Sequence, residues 1–152
     1  MYHAIVFFDL DSTLFDDHKN VLPASIAAIH EMQQHHILPV IATGRNIFEI
    51  QYVLDATGID SVVGANGSYV QFEGQRLMAA VIDQATLASI TAFAKDQGDP
   101  LAYYNNAGFR LSQANADTTE NFQLLRLNPV VDAHWFQQKD INFINVFNRD
   151  KD

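Results

Sequence analysis

The apolar run Ala4-Ile5-Val6-Phe7-Phe8 ends abruptly in Asp9-Leu10-Asp11-Ser12-Thr13-Leu14, and no other stretch narrows the fold of this chain as far. An unbroken run of β-branched and aromatic residues reads as a strand buried on both faces, the habit of parallel sheets. Two carboxylates two residues apart at such a strand end can point into one small volume. Like charges that close push one pKa up unless a cation lies between them. A hard divalent ion with oxygen ligands, such as magnesium, meets that need and keeps waters for a phosphate. One carboxylate can then attack phosphorus to give an aspartyl-phosphate while the other handles protons. Backbone N–H groups of the loop, at Leu10 and Asp11, are placed to stabilise the equatorial oxygens. Taken in isolation, acidic and hydroxyl residues after a strand only make a turn and cap a helix; the preceding apolar run and the Leu14-Phe15 that follows argue for more.

The same alternation of elements continues downstream. Pro23 stands at a first helical position, followed by Ile26, Ile29 and Met32 at helical spacing, and His35, His36 and Pro39 close that helix. Leu38 to Ala42 is a second apolar run, ending in Thr43-Gly44-Arg45. A helix from about Asn46 carries Ile47, Ile50 and Leu54 and stops at Gly58, and Ser61 to Gly64 forms a third strand. Strand, helix, strand, helix, strand with short connections predicts a parallel sheet joined by right-handed crossovers. Sites in such sheets lie beyond the carboxyl ends of the strands, where both polar clusters fall. Thr43 and the Gly44 turn offer neutral donors to a phosphoryl oxygen, and Arg45 can add a bidentate contact.

After Tyr69 the character changes. Glu73-Gly74-Gln75 predicts a hairpin turn between Val70–Phe72 and Leu77–Ile82, and Asp83 caps a helix carrying Leu87, Ile90 and Phe93 that ends at Gly98. Leu101–Tyr104 and Phe109–Leu111 read as a second hairpin, 117–127 as a helix and Ile141–Phe147 as a strand. The expected class is therefore α/β: a Rossmann-like parallel sheet core, incomplete, over residues 1–75, with an α+β cap domain over 76–152.

With Asp9-x-Asp11-x-Thr13, Thr43-Gly44-Arg45 and Asn66-Gly67-Ser68 in place, the whole chain resembles the N-terminal portion of a haloacid dehalogenase-like (HAD) hydrolase, of the Cof-type group with a class IIB cap. The resemblance implies phosphomonoester hydrolysis of a small phosphorylated metabolite, with Mg2+ as cofactor. It makes Asp9 the nucleophile and a metal ligand through its carboxylate. Asp11 becomes the general acid/base and a metal ligand through its backbone carbonyl, and Thr43 holds the transferring phosphoryl group. Leu10, Asp11, Thr43, Gly44 and Arg45 form the phosphate-binding set. Ser12 stands where the family usually has Gly. The family also needs a lysine and a later acidic pair; Lys95, Gly98-Asp99 and the terminal Lys151 and Asp152 do not qualify, so the chain is expected to be shorter than a complete enzyme. Its first strand is then expected to present an exposed apolar edge, open to self-association.

Two rival readings bear on the same residues. One is a non-catalytic phosphate- or metal-binding remnant of such an enzyme. The other is a receiver-like signalling domain, which needs an acceptor aspartate where this chain has Gly64-Ala65-Asn66. Composition limits the partners. A net charge of −9 argues against broad contact with nucleic acid, and any anionic substrate needs local donors because the overall field repels it. Six histidines include the group His30, His35 and His36, which suits a helix C-terminus better than a metal. The absence of cysteine excludes disulfides and thiolate–metal sites; with no signal-peptide pattern and no stretch of membrane-spanning length, a cytoplasmic protein is expected. Trp135, Phe136, Tyr103 and Tyr104 are expected in the core of the cap.

Overall fold

A computed structural model describes residues 1–125 and 127–148. The chain divides into two compact units, Met1–Ala80 and Val81–Asp152.

The first unit is built on a five-stranded sheet in the order β1-β2-β3-β4-β5, comprising β1 (Ala4–Phe8), β2 (Ile37–Ala42), β3 (Val62–Gly64), β4 (Tyr69–Phe72) and β5 (Gln75–Ala79). β1, β2 and β3 run parallel, and β4 and β5 return antiparallel. β5 stays hydrogen-bonded to β4, so the first sheet extends past the division at 75/76 read from the sequence. Helices α1 (Pro23–Gln34) and α2 (Ile47–Thr57) supply the crossovers. Pro23 occupies the first turn of α1, where its missing N–H costs nothing. Asn46 caps α2, Glu49 Oε2 accepts from the Asn46 N–H at 2.8 Å, and Gly58 ends the helix at φ 67°.

Ile29 of α1 and Ile50, Val53 and Leu54 of α2 bury against Ile41 and Val62 of the sheet. Pro39, expected to close α1, instead lies buried within β2. β1 is not enclosed on both faces. It is the sheet's edge, with Ile5 and Phe7 54% and 61% exposed, because among the described residues no strand pairs on its outer side.

The second unit holds a three-stranded antiparallel sheet in the order β7-β6-β8, made of β6 (Leu101–Asn105), β7 (Gly108–Leu111) and β8 (Phe143–Val146). Helix α3 (Gln84–Gln97) is capped by Asp83, whose Oδ1 accepts from Thr86 N–H at 2.9 Å. Its buried stripe is Leu87, Ile90 and Ala94, at i, i+3 and i+7; Phe93 falls one position off that stripe and is exposed. α4 (Ala116–Leu124) ends before the 127 expected from the sequence, and Arg126 lies outside the described residues, as do Lys151 and Asp152. Trp135 and Phe136 join Tyr103 and Leu101 in the core, and Tyr104 is buried beside them in the sheet.

Candidate functional site

The chain leaves β1 into a wide turn, Leu10–Leu14, closed by the Phe15 N–H donating to the Leu10 carbonyl at 2.9 Å. Leu10 and Leu14 bury their side chains and so fix the loop between them, while Asp9 and Thr13 stay exposed and Asp11 is half-buried. Ser12 sits at φ 60°, ψ 14°. That left-handed conformation is free for glycine and costs roughly 1–2 kcal/mol for other residues.

The chain leaves β2 into Thr43-Gly44-Arg45. β1 and β2 are parallel neighbours, so both loops emerge at the same end of the sheet. Arg45 reaches back to Asp11, with Nε 3.0 Å from Oδ2 and Nη2 2.9 Å from Oδ1. This paired geometry is the strong form of a guanidinium–carboxylate contact. The guanidinium also lies over the Phe15 ring, 5.5 Å from its centroid. Thr43 Oγ1 accepts from the Arg45 N–H at 3.2 Å, leaving its own O–H to donate. Asn66, at φ 53° just after β3, lies against the Gly44 turn so closely that a Cβ at Gly44 would stand 2.9 Å from its Oδ1. A side chain at Gly44 would therefore require the Asn66 amide to move aside.

Asp9 turns its Oδ1 to the Leu10 N–H at 2.7 Å. The Asp11 carboxyl does not rise in response to a neighbouring acid, as the spacing alone suggested. Hydrogen bonds from Arg45 hold it down to about 2; partial burial opposes them, and Lys19 adds to the lowering. Burial works against the charge on Arg45, but its bonds to Asp11 prevail and raise its pKa overall. Burial raises Glu49, against the opposing hydrogen bond from Asn46.

Lys19 was not among the residues singled out from the sequence. Residues 15–21 fold back as an antiparallel return, Phe15 opposite Val21, and place Lys19 Nζ 2.7 Å from Asp11 Oδ1. The signal was there in Asp16 and Asn20, turn-forming residues on either side of the tip: Asp16 Oδ1 accepts from the N–H groups of His18 and Asn20 at 2.9 and 2.8 Å.

The oxygen donors present suit a hard cation: the Asp9 carboxylate and the Asp11 carbonyl are the ligand types magnesium takes alongside waters and phosphate oxygens. Among the described residues there is no group of three or more His, Cys, Asp or Glu that could hold a metal ion. Among those residues, too, no helix is long and apolar enough to cross a membrane.

A parallel sheet brings an acidic loop and a Thr-Gly-Arg loop to one end, and the chain belongs to the haloacid dehalogenase-like hydrolases, whose family pattern it matches over residues 6–152. Among individual proteins, it is 25% identical to "Putative phosphatase YkrA" of Bacillus subtilis (strain 168), over all of this chain and 60% of that protein. A crystal structure of a hypothetical protein from Geobacillus kaustophilus HTA426 superposes with a TM-score of 0.90 at 31% identity, covering 99% of this chain and 59% of that one. The HAD subclass IIB sugar phosphatase BT4131 shares the fold, with a TM-score of 0.73 at 23% identity over 91% of this chain and 55% of its own. The chain thus spans well under two thirds of the length of these relatives, matching their N-terminal portion.

Proposed function

We propose that this chain carries the nucleophile and phosphate-binding half of a magnesium-dependent phosphatase of the Cof-type group, acting on a small phosphorylated metabolite in the cytoplasm. The observation that supports it best is the bidentate contact between Arg45 and Asp11, which joins the loops after β1 and β2 into one site. In this reading an oxygen of Asp9 attacks phosphorus, and the bond to the leaving oxygen breaks as Asp11 protonates it. Asp11 then takes a proton from water as that water hydrolyses the aspartyl-phosphate. Asp11 as held here is ionised at neutral pH, so it acts as an acid only after the phosphate has displaced it from Arg45 and it has taken up a proton from solvent. The Thr43 O–H and the loop amides hold the remaining phosphoryl oxygens. Magnesium, held by the Asp9 carboxylate and the Asp11 carbonyl, would neutralise phosphoryl charge. Residues of the second unit would set substrate choice.

The test is release of nitrophenol from p-nitrophenyl phosphate with and without magnesium, comparing wild type with Asp9→Asn. Magnesium-dependent release abolished by the substitution is expected; release that survives it contradicts the role given to Asp9. Because Asp11 is tied to Arg45, the second reading, a phosphate-binding remnant, has its own outcome: phosphate bound without turnover. The open edge of β1, with Ile5 and Phe7 exposed, would be the place of self-association. Sedimentation should then show a concentration-dependent size that Phe7→Lys removes, and a size unchanged by dilution contradicts it.

A further inference from the structure

The carboxylate of Asp11 is gripped by two cations from separate parts of the chain, Arg45 through two bonds and Lys19 through one. Their surroundings differ. The Arg45 side chain is only 17% exposed and is covered by Phe15, whereas that of Lys19 is 47% exposed. Arg45 forms the shielded side of an anion position and Lys19 its solvent-facing side.

The loop that carries Lys19 is built rather than loose. The Asp16 N–H donates to the Asn20 carbonyl at 3.0 Å and the Lys19 N–H to the Asp16 carbonyl at 3.0 Å. The Tyr52 hydroxyl, from α2, donates to the Lys19 carbonyl at 3.0 Å, and the Tyr52 ring stacks on Phe15 at 6.1 Å. Lys19 is held at φ 60° by these contacts, a conformation that lysine does not favour. In a chain of net charge −9, two cations are thus concentrated at the loop that carries Asp9 and Asp11. A lone carboxylate satisfies one guanidinium face; the added ammonium leaves room for an anion with more oxygens than a carboxylate has.

We propose that Lys19 is a phosphate-binding residue: with Arg45 it frames an anion position that the Asp11 carboxylate fills in the free protein, and the dianionic phosphate group of a monoester takes that position when substrate arrives. Arg45 then contacts the phosphate through its fork and Lys19 as a point charge. The exchange frees the Asp11 carboxylate without breaking any covalent bond. The proposal rests on the phosphatase reading for the location of the phosphate.

Inorganic phosphate is the probe, titrated calorimetrically into the full chain in magnesium chloride at several salt concentrations. Lys19→Met, which keeps the apolar stem, should weaken phosphate binding roughly tenfold or more, the scale of one lost charge-assisted hydrogen bond. It should also flatten the salt dependence. Lys19→Arg should retain most of the affinity, and Tyr52→Phe, which releases the loop's anchor, should lose a smaller factor. Circular dichroism on the same samples separates these effects from unfolding. Phosphate bound by Lys19→Met as tightly as by wild type, or more tightly, overturns the proposal while leaving the phosphatase reading standing. Wild-type protein that binds no phosphate overturns both.

Discussion

The two units differ in where they place backbone strain. Among the described residues, every non-glycine residue at positive φ lies in the first unit: Ser12, Lys19, His36, Ala65, Asn66 and Glu73. Ser12, Lys19, Ala65 and Asn66 belong to the loops around Asp11 and Gly44. Among the described residues of the second unit, positive φ is taken by Gly98, at 76°. Their cores differ in the same sense. The first unit's is largely aliphatic, whereas the second builds an aromatic chain in which Phe109 stacks on Phe122 at 4.7 Å and on Tyr104 at 5.4 Å. One unit thus spends stability on holding polar side chains in unusual positions, and the other packs rings at regular positions. Strain gathered at polar loops is the pattern of a functional site.

The largest effect that could break this comparison is in the aromatic core. Phe122 is fully buried, and Phe122→Ala should destabilise by about 3–5 kcal/mol. Amide hydrogen exchange should quicken mainly in residues 81–148. Equal quickening in residues 1–80 would show that the two units do not unfold separately. A smaller effect comes from Asn115, whose Oδ1 accepts from the Thr118 N–H at 2.9 Å at the start of α4. Asn115→Ala should cost about 1 kcal/mol in denaturant unfolding.

Ser12→Gly sharpens the contrast from the other side. Relief of the left-handed strain is worth roughly 1–2 kcal/mol, offset by about 0.5–1 kcal/mol of added chain entropy. The variant should therefore be as stable as wild type or up to about 1.5 kcal/mol more stable. Clear destabilisation contradicts the strain argument.

The smallest effect concerns the Asp11 ion pair, which is part-exposed and screened by solvent. Because Asp11 is lowered to about 2 in the folded protein, its contribution to stability is fully present above the ordinary aspartate value of about 4. It is lost as pH falls from there through about 2. The difference in denaturant midpoint between wild type and Asp11→Asn should shrink across that window; a difference that stays constant would mean the pair does not stabilise the fold.

How much of this was legible from the sequence follows from the range of the forces involved. The runs Ala4–Phe8 and Leu38–Ala42, the cap at Asn46 and the stop at Gly58 are local signals, and each marks an element of the first unit. Asp9, Asp11, Thr43 and Arg45 were visible as strand-end residues, because position in a parallel sheet follows from chain order. The partner of Asp11 was not visible. Which charges meet depends on how the return of residues 15–21 is anchored by Tyr52, and that contact joins residues 33 positions apart. Phe93 was misplaced because a one-position error in a helical stripe turns a side chain by about 100°. The exposure of β1 was expected from the absence of further core strands and contradicts only the reading of that strand taken by itself.

The central claim is that the carboxylate at the end of β1 attacks phosphorus. Its most direct measurement is to quench the protein in acid during reaction with p-nitrophenyl phosphate and magnesium, reduce the quenched chain with borohydride, and locate the modified residue by peptide mass spectrometry. The account predicts reduction of an acyl phosphate at Asp9, absent from Asp9→Asn. Turnover with the modification at another carboxylate, or turnover by Asp9→Asn itself, would contradict it.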